Sequence, residues 1–314
     1  MRVLTGVMLG CLAGTAVALP PARAAVLVPV TPVQGSSVTT AFAINDSDVI
    51  AGSFIGSNDG VEHAFFGTPD GNYTTFDAGS GGSEARGISN DGTITGISNS
   101  QDGNTSTEPI YERRPDGKFL NVTMSGQQLF GLAQGINGND KFAGYYWNRV
   151  DGETQGFVGR KGVWKADVNV PARHQFAGAL GINDSSVIVG YFSVPPLQGF
   201  VLNGKTLTIV NYPNVKAAGT ILNGINNKGK VAGQWIDTSG NEHSFLYDTA
   251  TAIFTDIKVK GATIVRAWAI NSAGAIAVST DIGSFIWCER AKQCPGGGTD
   301  VDAPTHVAEK TSPH

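Results

Sequence analysis

A short phrase, a small residue followed by isoleucine and then asparagine or serine, returns six times along the chain. It reads Ala43-Ile44-Asn45, Gly87-Ile88-Ser89, Gly135-Ile136-Asn137, Gly181-Ile182-Asn183, Gly224-Ile225-Asn226 and Ala269-Ile270-Asn271. The isoleucines stand 44, 48, 46, 43 and 45 residues apart, the length of one four-stranded unit in a circular array. The spacing therefore predicts an all-β fold, a six-bladed β-propeller. With 42 glycines and 15% charged residues, the composition suits many short strands joined by tight turns.

The fifth copy shows the unit most plainly. Four strand-length pieces, 221–226, 230–236, 243–247 and 253–259, are separated by turn residues. Each first strand ends in its Asn or Ser and enters a turn whose fourth position is Asp48, Gly92, Asp140, Ser186, Gly229 or Gly274. Gly and Asp tolerate the positive φ that a tight hairpin needs, and the Asn side chain can bond backbone two residues on. The small residue before each isoleucine places this strand innermost, where backbones converge on the axis and bulk would collide. The isoleucine is expected to pack between blades.

Ring closure follows from a missing piece. The sixth copy has three strands, up to Trp287, and no fourth, while an apolar stretch from Val26 to Val33 stands alone before the first copy. Val28 to Val30 lie 16 to 14 residues before Ile44, and the fourth strand of the fifth copy, Phe254 to Ile257, lies 16 to 13 before Ile270. The N-terminal strand is thus expected to complete the last blade and cover its open edge.

The ends read differently from the middle. Arg2, the apolar run from Val3 to Leu19 and the small-residue site Ala22-Arg23-Ala24 have the layout of a cleaved secretory signal, residues 1–24, followed by a propeller over 25–294. Residues 295–314, rich in Gly, Pro, Thr and charge, read as a disordered tail. Export leaves Cys288 and Cys294, which an oxidising compartment favours as a disulfide. The expectation is a secreted or periplasmic bacterial protein, monomeric, with no membrane span once the signal is removed. A net charge of −4 supplies no basic footprint for nucleic acid.

With these residues in view, the chain resembles the bacterial extracellular HAF repeat proteins, named for a His-Ala-Phe motif on the third strand. The motif stands as His63-Ala64-Phe65 and, nearly complete, as His243-Ser244-Phe245; the other copies have Gln155-Gly156-Phe157, Gln198-Gly199-Phe200, Gly283-Ser284-Phe285 and the divergent Pro109-Ile110-Tyr111. The resemblance covers residues 26–287. It implies an exported propeller-like protein and brings no catalytic residues.

Positions that recur in every copy serve the fold, so the candidate site is sought where the copies differ. The residue two before each isoleucine is Phe42, Arg86, Gln134, Leu180, Asn223 or Trp268: six copies, six residue types. On an innermost strand this position is near the central channel, where ring-shaped scaffolds present ligands. Two residues earlier stand Thr40, Glu84, Leu132, Gly178, Ile221 and Arg266. A mouth carrying Arg86, Gln134, Asn223, Arg266, Trp268 and Phe42 suits a polar extracellular ligand such as a glycan, peptide or carboxylate. The same residues fit a second reading, in which an Arg–Glu pair and two amides satisfy one another around a watery channel. The enzyme alternative is a polysaccharide hydrolase or lyase whose catalytic candidates are Glu84, Arg86 and Arg266.

Other residue sets receive plainer readings. Phe54, Tyr145, Tyr146, Trp147, Tyr191, Phe192 and Trp235, at the ends of second strands, read as core packing before a sugar platform. His63 and His243 share a repeat position with Gln155 and Gln198, which points to hydrogen bonding. No zinc or serine-hydrolase signature is present in the sequence, and no metal or cofactor is called for. Carboxylates for glycosidase chemistry, among them Glu84, Glu108, Glu112, Asp140, Glu153 and Glu242, have separations that sequence does not set. The polar loop 98–108 reads as solvated.

Overall fold

The computed structural model describes residues 25–99, 109–147, 154–168, 177–193, 196–213, 217–297 and 307–308. Its repeating element starts from the turn. All six expected turn positions have positive φ, Asp48 at 60°, Gly92 at 89°, Asp140 at 56°, Ser186 at 60°, Gly229 at 72° and Gly274 at 101°. That region suits glycine or a short polar residue. The preceding Asn caps the turn: Asn45 Oδ1 accepts the backbone N–H of Ser47 and of Val49, each at 3.0 Å.

Each turn reverses an inner strand into a four-stranded meander, and six meanders form the ring. The first blade comprises Ser36–Ile44, Ile50–Gly56, Glu62–Gly67 and Tyr73–Phe76; the second, Ser83–Ile88, Ile94–Ser98, Ile110–Arg113 and Phe119–Asn121. The third comprises Gly131–Ile136, Lys141–Trp147, Thr154–Arg160 and Val163–Asp167, with the short strands Thr123–Met124 and Gln127–Gln128 on its outer edge. The fourth has Ala177–Ile182, Ile188–Phe192, Gln198–Asn203 and Thr206–Val210. The fifth has Ala217–Ile225, Lys230–Asp237, Glu242–Asp248 and Ile253–Ile257, and Val307–Ala308 pairs beyond it.

The sixth blade closes the circle as the missing strand required. Val265–Ile270, Ile276–Thr280 and Gly283–Cys288 are completed by Val26–Pro29, antiparallel to Gly283–Cys288 with Val26 opposite Cys288. The paired strand is shorter than the 26–33 stretch. Val30 donates one more backbone bond to Ser284, and Thr31 then turns to bond Pro69 of the first blade. Cys288 and Cys294 form a disulfide, buried in the same apolar cluster as Val26. Residues 1–24 and most of 295–314 lie outside the described residues, as do Glu108, Glu153, His174, His306, His314 and most of the 98–108 loop.

The core is distributed between blades. Ile44, Ile88, Ile182, Ile225 and Ile270 are buried, each in a different apolar cluster, and Ile136 packs against a sixth. The His-Ala-Phe motif resolves into three jobs. Phe65, Phe157, Phe200 and Phe245 are fully buried. The small middle residue faces the next blade: Ser244 Oγ donates to Val265 O at 2.6 Å and accepts from Ala267 N at 2.9 Å, while Ser284 Oγ donates to Thr39 O and accepts from Ala41 N. The first residue stands at the rim. Close approach on the axis is also visible, since a Cβ added at Gly224 would lie 2.9 Å from the Cα of Ala269.

Candidate functional site

Every inner strand carries a β-bulge on the six-way variable position, and the first and fifth inner strands carry a second irregularity near their starts, between Ser36 and Val38 and between Ala217 and Gly219. Ala85 pairs with Gly96 and Gly87 with Thr95, leaving Arg86 unpaired between them; Phe42, Gln134, Leu180, Asn223 and Trp268 are skipped in the same way. A bulge inserts one extra residue and re-aims its side chain. The second strand supplies a recurring glycine opposite: a Cβ at Gly233 would meet the Phe245 ring at 2.6 Å, so this position leaves room for the motif phenylalanine.

The six side chains converge and largely fill the mouth with one another. The Arg86 guanidinium lies 3.8 Å from the centroid of the Phe42 ring and 5.7 Å from that of Trp268, and Phe42 and Trp268 meet edge-on at 5.2 Å. Such cation–π contacts hold the guanidinium over the rings. Arg86 Nη2 also pairs with the Glu84 carboxylate. Trp268 Nε1 donates to Ser279 Oγ at 2.8 Å. Asn223 Nδ2 donates to Ala267 O at 2.8 Å and to Gln234 Oε1 at 3.4 Å. Leu180 and Gln134 are buried beside them. Under this layer a cavity of about 60 Å³ is lined by Arg86, Gln134, Leu180, Asn223 and Trp268.

Glu84 and Arg266, two residues up their strands, do not form a pair. Glu84 meets Arg86, whereas Arg266 forms a two-pronged ion pair with Glu242, with Nη2 to Oε1 at 3.1 Å. That carboxylate holds the Arg266 pKa above its ordinary value. Glu242 opens onto a feature that the repeat pattern did not reveal, a cleft of about 710 Å³ between the fifth and sixth blades. Its walls include Trp235, His243, Lys258, Lys260 and Thr263. The cleft depends on the 258–264 connection, whose sequence lies outside the repeated phrase.

The rim histidines repeat one construction. His243 stacks on Trp235 at 4.1 Å between centroids and its Nε2 lies 3.2 Å from Asp237 Oδ2. His63 lies against Phe54 at 5.2 Å, with Nε2 3.2 Å from Asp59 Oδ2 and Nδ1 2.8 Å from Asp77 Oδ2. Partial burial pulls the His63 pKa down, but the hydrogen bonds to Asp77 and Asp59 outweigh it and the net shift is upward. Of the second-strand aromatics, Tyr146, Phe192 and Trp235 are buried, and Trp147 is exposed. Glu112 is also buried, accepting a hydrogen bond from Gly162 N at 2.8 Å.

At the opposite mouth the Asn residues do more than cap their turns. Asn45, Asn137, Asn183, Asn226 and Asn271 each send Nδ2 to a backbone carbonyl of the next blade, ending with Asn271 to Asn45. Only the second blade, with Ser89 in that place, breaks the circle among the described residues. This inter-blade ring was not legible in one repeat, because its acceptor belongs to another.

Solved structures of the same architecture include two at a TM-score of 0.51. One is a protein assigned as a gluconolactonase, with a TM-score of 0.51 and 9% identity, over 84% of this chain and 92% of that one. The other is TolB from Acinetobacter baumannii, with a TM-score of 0.51 and 13% identity, over 77% of this chain and 64% of that one. This chain thus spans just under two thirds of TolB. At these identities the likeness shows the propeller fold alone. No protein-family model matches the chain, and no curated protein matches it in sequence.

Proposed function

We propose that the chain is an exported propeller that binds a polar extracellular ligand, such as a glycan, peptide or carboxylate, on the face where its inner strands begin. The supporting observation is the coincidence of the bulge with the variable position in all six blades. The scaffold repeats its turns, its isoleucines and its axial small residues, and releases one side chain per blade towards the mouth. The small cavity admits only a head group, so the rest of a ligand lies over Arg86, Trp268 and the Arg266–Glu242 pair. The resemblance to the HAF repeat proteins supports export, and the buried disulfide agrees with an oxidising compartment.

Binding is favoured over hydrolysis at the mouth because Glu84 is committed to Arg86 and its neighbours there are rings and amides. Titration of the mature protein against glycan, peptide and carboxylate panels, with a product assay alongside, tests this reading. Arg86→Ala or Trp268→Ala is expected to weaken capture by ~1–3 kcal/mol, as for a truncated anchor side chain. Product release, or equal binding per folded molecule by both variants, refutes it.

A further inference from the structure

Two donors at the central cavity have no acceptor among the described residues. Gln134 is 6% exposed, and its Nε2 is buried without a hydrogen-bond partner; the Nε of Arg86, on the neighbouring blade, is in the same condition. Both residues line the 60 Å³ cavity. A buried N–H without a partner is costly, so two of them at one void call for an occupant that accepts hydrogen bonds. The charge is already balanced, because Glu84 neutralises Arg86. A second carboxylate pushed into this buried place would have no counter-charge, whereas a neutral carbonyl oxygen, with two lone pairs, takes both donors without adding charge.

We infer that the mouth recognises an uncharged acyl-amide group, such as the acetamido substituent of an N-acetylated sugar. Its carbonyl oxygen receives Arg86 Nε–H and Gln134 Nε2–H, and its methyl lies against Leu180. The size agrees: one water needs ~10–15 Å³ of this kind of space, so the void of about 60 Å³ holds roughly four to six waters, enough for a group of about four heavy atoms. The inference rests on the mouth-binding reading and narrows its ligand class.

The mature protein, isotope-labelled, is titrated with acetamide, N-acetylglucosamine, acetate and glucose while the Arg86 Nε–H and Gln134 side-chain amide resonances are followed. Saturable shifts with acetamide and N-acetylglucosamine, weaker by at least tenfold with acetate and absent with glucose, are expected. Gln134→Leu should abolish them and at the same time raise the unfolding midpoint, since it deletes an unsatisfied donor; a packing role for Gln134 moves the midpoint the other way. Arg86→Lys, which has no Nε–H, should lose the shifts while remaining folded. Tighter binding of acetate than of acetamide overturns the inference. So does an absence of shifts with every small probe, which leaves water as the occupant. If the small probes fail but a larger glycan or peptide still binds at the mouth in an Arg86- and Trp268-dependent way, only the acyl-amide class is lost; failure of all ligands removes the binding function as well.

Discussion

Truncating Asn226 offers the sharpest test of how the ring is held shut. This side chain is 4% exposed and makes three hydrogen bonds: Nδ2 to Asn271 O at 2.9 Å on the next blade, and Oδ1 from Lys228 N and Lys230 N, each at 3.0 Å, within its own turn. A hydrogen bond contributes about 0.5–1.5 kcal/mol net, so Asn226→Ala should cost roughly 2–4 kcal/mol. For a domain of this size that lowers the thermal midpoint by about 4–8 °C. Asn226→Ser separates the two roles. Ser89 shows how a serine serves at this position, its Oγ accepting from Thr93 N at 3.1 Å without reaching the next blade. The serine variant should therefore lose only the inter-blade share, about 1 kcal/mol. The reverse change, Ser89→Asn, supplies the absent link to the third blade and should stabilise by about 0.5–1.5 kcal/mol. Urea denaturation with linear extrapolation reads all three. If Asn226→Ala costs less than ~0.5 kcal/mol, which is the range of ordinary surface substitutions, or if Ser89→Asn destabilises a correctly folded ring, the asparagines are turn caps and nothing more.

Three further outcomes follow from the geometry. Removing Val26–Pro29 exposes the edge of Gly283–Cys288 and uncovers the buried Val26 cluster, so the truncated protein should melt far lower or aggregate, whereas an unchanged midpoint in calorimetry refutes closure by this strand. Gly181→Val places a Cβ 2.8 Å from Val189 Cγ2 and 2.9 Å from Gly224 Cα, and should cost at least ~1–3 kcal/mol through axial crowding, read as a lowered midpoint; an unchanged midpoint contradicts close axial packing. His63 faces carboxylates at both ring nitrogens, and its folded pKa is raised above the ordinary 6.5. The stability it contributes is complete below that unfolded value and is lost as pH rises through the folded one. An NMR titration should place His63 above 6.5 and find it lowered by Asp77→Asn; an unshifted or depressed value contradicts the ion triad.

The blade count, the turn positions, the axial small residues and the closing strand were legible in the sequence. Each follows from local rules: a fixed period sets the repeat, positive φ selects Asp, Gly or Ser at one turn position, and a missing fourth strand demands a replacement. The sequence also marked Phe42, Arg86, Gln134, Leu180, Asn223 and Trp268 as the variable set. What those side chains meet was decided only in the ring. Pairing between strands placed the bulge on them, and their neighbours on adjacent blades then set the partners, so that Glu84 turned to Arg86 rather than Arg266, and Arg266 to Glu242. The asparagine ring, the unpaired Gln134 and Arg86 donors and the cleft beside Glu242 arise from contacts between blades some 45 residues apart, the repeat length. A repeat read in isolation contains one partner of each such contact, and its chemistry depends on the other.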